Sequence, residues 1–494
     1  MTDILTFFID QHGCAKNQVD GELIISRLLN LGMAQTFEPA EADLIVVNSC
    51  GFIESAKKES LDAVCAARRG YPNAKILLCG CLAERYALQL KDALPEADGI
   101  FGNGDLSKLD EIISQLSENK RPVNVYNQEG VCCGDRKVFL GFRGSAFVKI
   151  TEGCSNHCSF CAIPLIRGEL RSRPASEITA EIESLVLQGI VEINLIGQDL
   201  AAYGTGENDN VFGTGRFPLP KINDDGVNCG TETPSALSLL LDKIRDVPGT
   251  FFLRLLYIHP DHFNRDIFKC FRENPRLLPY FDIPFQSGDD FIIKAMNRKG
   301  SAEEYKRLVA DIRRELPEAV LRTTFLTGFP GETAEAAAHT VEFLKAIKSN
   351  WSGCFPYSRE EDTAAYNMKG RVSAKTAQKR AEELVSVQEE LTRKSLSGWV
   401  GKEIDVLIEE IVSGEDGLAI GRAWFQAPDV DGSVVVRYEK DDFVQESAVR
   451  TGRFVRVKVV ASSDVDLDAV FIQGCDNMPD NPSSSLRFAP ELTD

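Results

Sequence analysis

The sequence predicts an α/β multidomain protein with an N-terminal parallel βαβ sheet domain, a central partial (βα) barrel and a C-terminal small β-barrel. Strand-like apolar runs alternate with helical segments over residues 1–118 and again over 140–374. This alternation favours right-handed crossovers and parallel sheets. After residue 395 the pattern changes to short β runs with glycine-rich turns, which is typical of a small barrel. A chain of 494 residues is long enough for about three domains.

In the N-terminal part, continuous apolar runs such as Leu44–Val47 are typical of strands buried on both faces. Cysteines follow three of these runs: Cys14, Cys50, and the close pair Cys79 and Cys81. Because the carboxyl ends of parallel strands meet at one edge of a sheet, we expect thiols from all three runs to gather there. The pattern fits a metal site, and it equally fits small buried apolar side chains.

The central part is expected to carry its chemistry on the loops that follow its strands. A linker at 119–139, broken by proline and glycine, leads into it, and we predict no chemical role for its Cys132 and Cys133. Six or so βα units then fill residues 140–374, so the active side chains should follow the strands. An insertion at 206–235, rich in Gly, Pro, Asn and Asp, interrupts the pattern and is predicted to be a mobile surface loop.

The last third of the chain is predicted in three pieces. Residues 375–394 are charged and have helical spacing, which predicts a helical connector. The small β-barrel occupies 395–475. Residues 476–494, which include a Pro-Ser-Ser-Ser run, are predicted to form a disordered tail.

Composition excludes several classes of protein. With 55 Lys and Arg against 74 Asp and Glu, the net charge is −19, which is unsuited to holding nucleic acid mainly through its phosphates. The sequence has no apolar run long enough to span a membrane and no signal-peptide pattern at its start, so we expect a cytoplasmic protein. Fourteen cysteines are too few for a disulfide scaffold. In a reducing compartment, clustered cysteines are metal ligands or catalytic thiols.

The strongest chemical motif is a C-x₃-C-x₂-C run on the loop after the first barrel strand, formed by Cys154, Cys158 and Cys161. A structural zinc site needs four ligands, and the nearby His157 is poorly placed between two of the cysteines. Three thiolates on a 4Fe-4S cluster would instead leave one iron without a protein ligand. That iron could bind the amino and carboxylate groups of S-adenosylmethionine.

With this motif and Phe160 before its last cysteine, the sequence resembles the radical S-adenosylmethionine superfamily. The whole chain is similar to the methylthiotransferase family, through Gly13–Asn17, Asn48–Phe52 and Gly80–Leu82. This resemblance implies two 4Fe-4S clusters, S-adenosylmethionine as cofactor, a C-terminal TRAM domain, and an electron donor such as flavodoxin or ferredoxin. It also implies that Cys14, Cys50 and Cys81 hold the auxiliary cluster, whereas Cys79 does not match the family motif.

Two branches of this family have different substrates. One modifies a tRNA adenosine (isopentenyladenosine), and the other, the RimO type, modifies an aspartate β-carbon in ribosomal protein uS12. Segments similar to the second branch are Cys14–Asp20, Cys158–Pro164, Leu253–Pro260 and Gly421–Gly432. Residues 395–494 contain 9 Lys and Arg against 19 Asp and Glu, a net charge of −10. That charge suits a basic ribosomal protein, free or in the small subunit, better than tRNA, although acidity can also serve solubility alone.

Other residues have less specific signals. Asp199 and the loop Gly328–Glu332 follow barrel strands, where cofactor contacts would fall. His12, His157 and His259 lie near motifs and are expected to be local hydrogen-bonding or packing residues. The alternative of another class is an iron–sulfur electron-transfer or binding protein, which would not cleave S-adenosylmethionine after reduction.

Overall fold

The computed structural model describes residues 4–126, 133–223, 227–231, 233–415 and 417–475. Within these ranges, three main β structures follow one another along the chain, which confirms the predicted fold class. The predicted tail at 476–494 and the linker's Cys132 lie outside the described residues. No helix in the described part of the chain is both long and apolar enough to cross a membrane.

The N-terminal sheet is doubly wound. Its elements are β1 (Thr6–Gln11), α1 (Ala15–Asn30), β2 (Ala34–Gln35), β3 (Leu44–Ser49), α2 (Glu54–Gly70), β4 (Lys75–Gly80), α3 (Cys81–Ala93), β5 (Gly99–Phe101), α4 (Leu109–Ser117) and β6 (Val123–Asn124). All strands are parallel, in the order β2-β1-β3-β4-β5-β6. Apolar side chains of α1 and α4 cover one face, and those of α2 and α3 cover the other. This two-sided cover explains why β3 is buried along its whole length.

The central sheet is an open, partial barrel. Its elements are β7 (Ser145–Lys149), β8 (Thr151–Glu152), α5 (Ile163–Arg167), β9 (Arg171–Ser172), α6 (Ala175–Leu187), β10 (Glu192–Ile196), α7 (Ala236–Arg245), β11 (Phe252–Leu255), α8 (Ile267–Glu273), β12 (Leu277–Asp282), α9 (Asp290–Ala295), α10 (Ala302–Glu315), β13 (Val320–Thr327), α11 (Ala334–Ile347) and β14 (Trp351–Pro356). Six parallel strands run in the order β14-β13-β12-β11-β10-β7, and β8 pairs with β9 separately. The carboxyl ends of these strands therefore open on one side.

The C-terminal part is a closed five-stranded barrel, reached through the long helix α12 (Ala374–Ser397). Its elements are β15 (Glu403–Ile411), β16 (Leu418–Ala423), β17 (Val434–Arg437), α13 (Phe443–Ala448), β18 (Phe454–Ser462) and β19 (Leu467–Gly474). The strand order β15-β16-β17-β19-β18 includes β19, which the sequence pattern does not reveal. Three consecutive apolar residues at 470–472 interrupt the alternation of apolar and polar residues along β19.

Buried ion pairs join the C-terminal barrel to the central sheet. Arg422 of β16 bonds to Glu192 of β10 at 2.7 Å and to Glu409 of β15 at 2.6 Å. Arg254 of β11 reaches the other oxygen of Glu192 at 2.8 Å. All four side chains are buried. Removing one member of such a set leaves an uncompensated buried charge, a loss of roughly 3–5 kcal/mol, so these pairs fix how the two parts meet.

The predicted linker contributes to the core as well as connecting two sheets. Arg136, which is 3% exposed, bonds to Glu22 of α1 and to Glu181 of α6, both at 2.6 Å. One linker side chain therefore holds the N-terminal sheet against the central one. Glycine and proline in a segment indicate an irregular backbone but do not reveal such a contact.

Candidate metal centres

The first cysteine triad lies at the carboxyl edge of the N-terminal sheet. Cys14 is the N-cap residue of α1, Cys50 follows β3, and Cys81 opens α3. The helices change sides of the sheet between β1 and β3, and doubly wound sheets bind ligands at this position. Thiols that are far apart in sequence are thus brought to one edge.

Two glycines let the turns that carry these cysteines approach each other closely. At Gly13, where φ is +93°, an added Cβ would lie 3.1 Å from the Cβ of Cys50. At Gly51 an added Cβ would lie 2.7 Å from the carbonyl oxygen of Cys81. Larger residues at either position would push the turns apart.

The three thiols also affect one another electrostatically. Burial, and then negative charge on Cys81 and Cys14, raise the pKa of Cys50 to about 12. Burial likewise raises the pKa of Cys81, although the Arg167 guanidinium opposes this shift. Arg167 Nη2 lies 3.1 Å from the Cys81 sulfur, and Asn103 Nδ2 lies 3.5 Å from it. Such thiols become thiolates when a bound cation compensates their charge, which is what a metal cluster provides.

Cys79 and Cys133 lie apart from this group. Cys79 is fully buried on β4 in the apolar core under α1 and α4. Burial alone raises the pKa of its thiol well above the usual range. Cys133, in the linker, is exposed.

The second triad is formed by Cys154, Cys158 and Cys161 on the loop between β8 and α5. The backbone N–H of Cys154 donates to the Gly168 carbonyl at 3.0 Å, and that of Cys161 donates to the Cys158 carbonyl at 2.9 Å. Burial and then the charge of Cys158 raise the pKa of Cys161 to about 12. The three thiols, all partly exposed, therefore face one space at the open side of the central sheet.

His157 turns away from this triad. Its backbone has a φ of +47°, and its side chain is 58% exposed, with Nε2 3.5 Å from a Glu169 oxygen. Asn297 Nδ2 donates to the His157 carbonyl at 2.9 Å, which holds the loop but not the ring. The imidazole is thus in solvent, and the zinc alternative loses its nearest fourth ligand.

His259 makes a local hydrogen bond and also contacts a cysteine of the second triad. Its Nδ1 accepts the Asp261 backbone N–H at 3.2 Å, so the proton of the neutral ring is on Nε2. Nε2 lies 3.9 Å from the Cys158 sulfur. Burial and the charge of Arg298 lower the pKa of His259 to about 3, so the ring stays neutral. His259 can therefore donate a hydrogen bond towards a Cys158 thiolate.

Asp199 organises the loops around this histidine. Asp199, His259 and His262 bring their ligand atoms within 4.8 Å of one another, a spacing that a metal ion could use. The Asp199 carboxylate, however, accepts hydrogen bonds from His262 Nδ1 at 2.6 Å and from Asn156 Nδ2 at 3.0 Å. Two backbone N–H groups complete its set, those of Ala201 and His259, both at 3.1 Å. These contacts make Asp199 a positioning residue for the cysteine loop.

A cavity of about 860 Å³ opens beside Cys154, and the predicted insertion forms part of its wall. The insertion residues that line it are Gly206, Glu207, Asn208, Asp209, Arg216 and Leu219. Farther along the insertion, Asn228 Nδ2 donates to the Phe263 carbonyl at 2.8 Å. The insertion therefore borders the route to the second triad.

The two triads are linked by side chains that the sequence analysis did not single out. Arg167 belongs to α5, directly after the second triad, yet its guanidinium bonds to Cys81 of the first. The charge of Lys16 acts on Cys14 and also on Cys161. Ala162 and Ile166 share an apolar cluster with Cys81. The helix α5, which directly follows the second triad, therefore contacts the first triad.

By contrast, the Gly328–Glu332 loop closes on itself. The Glu332 carboxylate accepts the Gly328 backbone N–H and lies 3.4 Å from the Arg380 guanidinium. These contacts account for the conformation of the loop without a bound cofactor.

Comparison with known proteins defines the class first. Residues 148–344 match the family model described as "Radical SAM superfamily", 6–102 match "Uncharacterized protein family UPF0004", and 400–472 match "TRAM domain". A solved radical S-adenosylmethionine methyltransferase, TsrM from Kitasatospora setae with cobalamin and a [4Fe-4S] cluster bound, has the same fold. It gives a TM-score of 0.50 at 16% identity, over 74% of this chain and 77% of that one. The protein is a radical S-adenosylmethionine enzyme with a TRAM domain.

Full-length relatives define the family. Ribosomal protein uS12 methylthiotransferase RimO from Treponema denticola is 49% identical over 94% of this chain and 100% of its own. The protein of that name from Carboxydothermus hydrogenoformans is 35% identical over 95% and 100%. The chain belongs to the RimO family of methylthiotransferases. It is therefore a transferase, and its cofactors are S-adenosylmethionine and two 4Fe-4S clusters.

The donor sets fit these cofactors. Each triad offers three thiols. Among the described residues, the one group of His, Cys, Asp or Glu side chains with the spacing of a single metal ion is Asp199 with His259 and His262, and it is hydrogen-bonded internally. A single ion needs ligand atoms that converge on one point, whereas a four-iron cluster spreads its ligands over separate irons. Three thiolates therefore suit a cluster that keeps one iron free of protein ligands.

Proposed function

We propose that this protein adds a methylthio group to the β-carbon of an aspartate in small-subunit ribosomal protein uS12. In this proposal Cys154, Cys158 and Cys161 hold the cluster that binds S-adenosylmethionine, and Cys14, Cys50 and Cys81 hold the auxiliary cluster. The observation that carries the proposal is similarity to RimO of Treponema denticola over its whole length. When bound, the clusters and S-adenosylmethionine supply radical cleavage of a C–H bond and a methylated sulfur for transfer.

The protein's own residues position the cysteine ligands and donate hydrogen bonds to their sulfurs. Arg167 and Asn103 donate towards the Cys81 sulfur, and a neutral His259 donates towards Cys158. Hydrogen bonds to ligand sulfurs stabilise the thiolates and set the reduction potential of a cluster. Asp199 accepts a hydrogen bond from Asn156 of the loop that carries the second triad, and its three other hydrogen bonds hold it to Ala201, His259 and His262.

Charge supports a protein substrate. Residues 395–494, which include the C-terminal barrel, carry a net charge of −10. A basic ribosomal protein is attracted to such a surface, whereas tRNA phosphates are repelled. The substrate is uS12, either free or within the small subunit, and the activity is cytoplasmic. A one-electron donor such as flavodoxin or ferredoxin delivers the electron that the radical step needs.

The choice of substrate is tested by offering the reconstituted enzyme uS12 and isopentenyl-modified tRNA in parallel. We expect the mass of uS12 to rise by one methylthio group and the tRNA to stay unchanged, because the acidic C-terminal part opposes phosphate binding. The measurement is mass spectrometry of both products after one reaction. The variant Cys133→Ala, which changes an exposed thiol, serves as the control and should give the same result. A gain on the tRNA alone would assign the protein to the other branch.

A further inference from the structure

Lys16 is a buried cation beside the first triad. Its side chain, two positions after Cys14, is 5% exposed. Among the residues that the structure describes, no carboxylate forms an ion pair with its Nζ, which lies 3.2 Å from the centroid of the Tyr257 ring. A lysine is almost never buried unless it is paired, because its charge loses hydration. A cation–π contact replaces only part of that hydration.

The carboxylates whose charges act on Lys16 are already neutralised by other cations. Apart from the Cys14 thiol, whose charge iron would share when the cluster is bound, the charges that attract Lys16 are those of Asp282 and Glu152. Asp282 bonds to Arg322 at 3.2 Å, and Glu152 bonds to Arg167 at 2.6 Å and to Lys149 at 2.7 Å. Lys16 therefore retains the capacity to bind an anion from outside the chain.

Tyr257 is held in a strained conformation against this lysine. It follows β11 at the carboxyl edge of the central sheet, and its φ is +70°. Residues other than glycine rarely adopt this conformation, and such strain is concentrated at functional sites. The backbone N–H of Tyr257 donates to Asp282 at 3.3 Å, which helps to hold the ring over Nζ.

Lys16 lies in the first turn of α1, after Cys14, and it contacts Tyr257, which follows β11 at the open side of the central sheet. Its charge acts on the thiols of Cys14 and Cys161, one from each triad. Cys14 is exposed and Cys161 is partly exposed, so the region is open. A substrate group that both clusters must reach would lie beside Lys16.

We propose that Lys16, backed by the Tyr257 ring, binds the side-chain carboxylate of the target aspartate. This inference rests on the proposed function, which places the β-carbon of that aspartate between the two triads. The carboxylate is the one charged group of the aspartate side chain, and it is bonded directly to the reacting carbon. Pairing with a buried ammonium orients the β-carbon and selects aspartate over neutral residues of the same shape.

The test compares uS12 with uS12 in which the modified aspartate, located by mass spectrometry, is replaced by asparagine. We expect the wild-type enzyme to favour the aspartate form by about a hundredfold or more in kcat/KM, since a site built for a charged group rejects its neutral isostere. Lys16→Met should lose activity on native uS12 by a similar factor and lose the preference, whereas Lys16→Arg should restore part of it. The control is Lys58→Met, which changes an exposed lysine on α2.

Two further readouts separate binding from loading with iron. Iron content should be unchanged in Lys16→Met, and uS12 affinity, measured by fluorescence anisotropy, should fall for the aspartate form only. If wild-type enzyme modifies or binds both forms equally well, the inference is wrong even where a variant loses its iron. If Lys16→Met keeps the wild-type preference, the inference fails and the proposed function stands. If wild-type enzyme leaves native uS12 unmodified, the proposed function is wrong, and the inference, which rests on it, is wrong as well.

Discussion

Changing Cys154, Cys158 and Cys161 together to alanine is expected to abolish reductive cleavage of S-adenosylmethionine. The wild-type chain should contain about eight irons after anaerobic reconstitution, because each triad suits one four-iron cluster, and the variant should keep about half of them. Without the three thiols at the open side of the central sheet, nothing positions S-adenosylmethionine for reduction. The measurements are iron content and the yield of 5′-deoxyadenosine after reduction.

The exposed thiol of Cys229, in the insertion, provides the matched control. Cys229→Ala should retain full iron content and full cleavage. A triple variant that still makes 5′-deoxyadenosine at the wild-type rate would show that the radical cluster is held elsewhere. Cleavage by the wild-type enzyme also excludes the alternative of an electron-transfer or binding protein.

Changing Cys14, Cys50 and Cys81 together to alanine should separate the two steps of the reaction. The variant should keep about half of the iron and still cleave S-adenosylmethionine, because the second triad remains intact. It should make no methylthiolated uS12, since in the proposed function the sulfur that is transferred is held at the auxiliary cluster. The measurements are 5′-deoxyadenosine and the mass of uS12 in the same reaction.

Cys79 is the control for this second variant, since it lies on β4 two positions before Cys81 but in the apolar core. Cys79→Ala should lose some stability through poorer packing, and it should keep its iron and its product. Undiminished product from the triple variant would refute the sulfur-carrying role of the first triad.

Much of the fold follows from local sequence patterns. The continuous apolar run at 44–47 predicts a strand covered on both faces, and β3 is buried at every residue. Parallel strands end at one edge, so the placement of Cys14, Cys50 and Cys81 follows from where these strands stop. The two- and three-residue strands β2, β5 and β6 have too few residues to show any alternation, and they are missed for that reason.

The surroundings of the triads could not be predicted in this way. Arg167 bonds to Cys81 across 86 positions of sequence, and His262 bonds to Asp199 across 63. Periodicity indicates which face of an element is buried but not which distant side chain it meets. His259 is expected to be a local hydrogen-bonding or packing residue, and its Nδ1 accepts the local Asp261 N–H. Its contact with Cys158 depends on how two separate loops fold together, which the sequence does not indicate.

The most direct test of the account is the mass of uS12 purified from cells that lack this protein. The account predicts that uS12 from the parent strain carries one methylthio group on an aspartate, and that uS12 from the deletion strain carries none. Restoring the wild-type gene should restore the modification, whereas a gene encoding the Cys14, Cys50 and Cys81 triple alanine variant should not. Fully methylthiolated uS12 in the deletion strain would contradict the account.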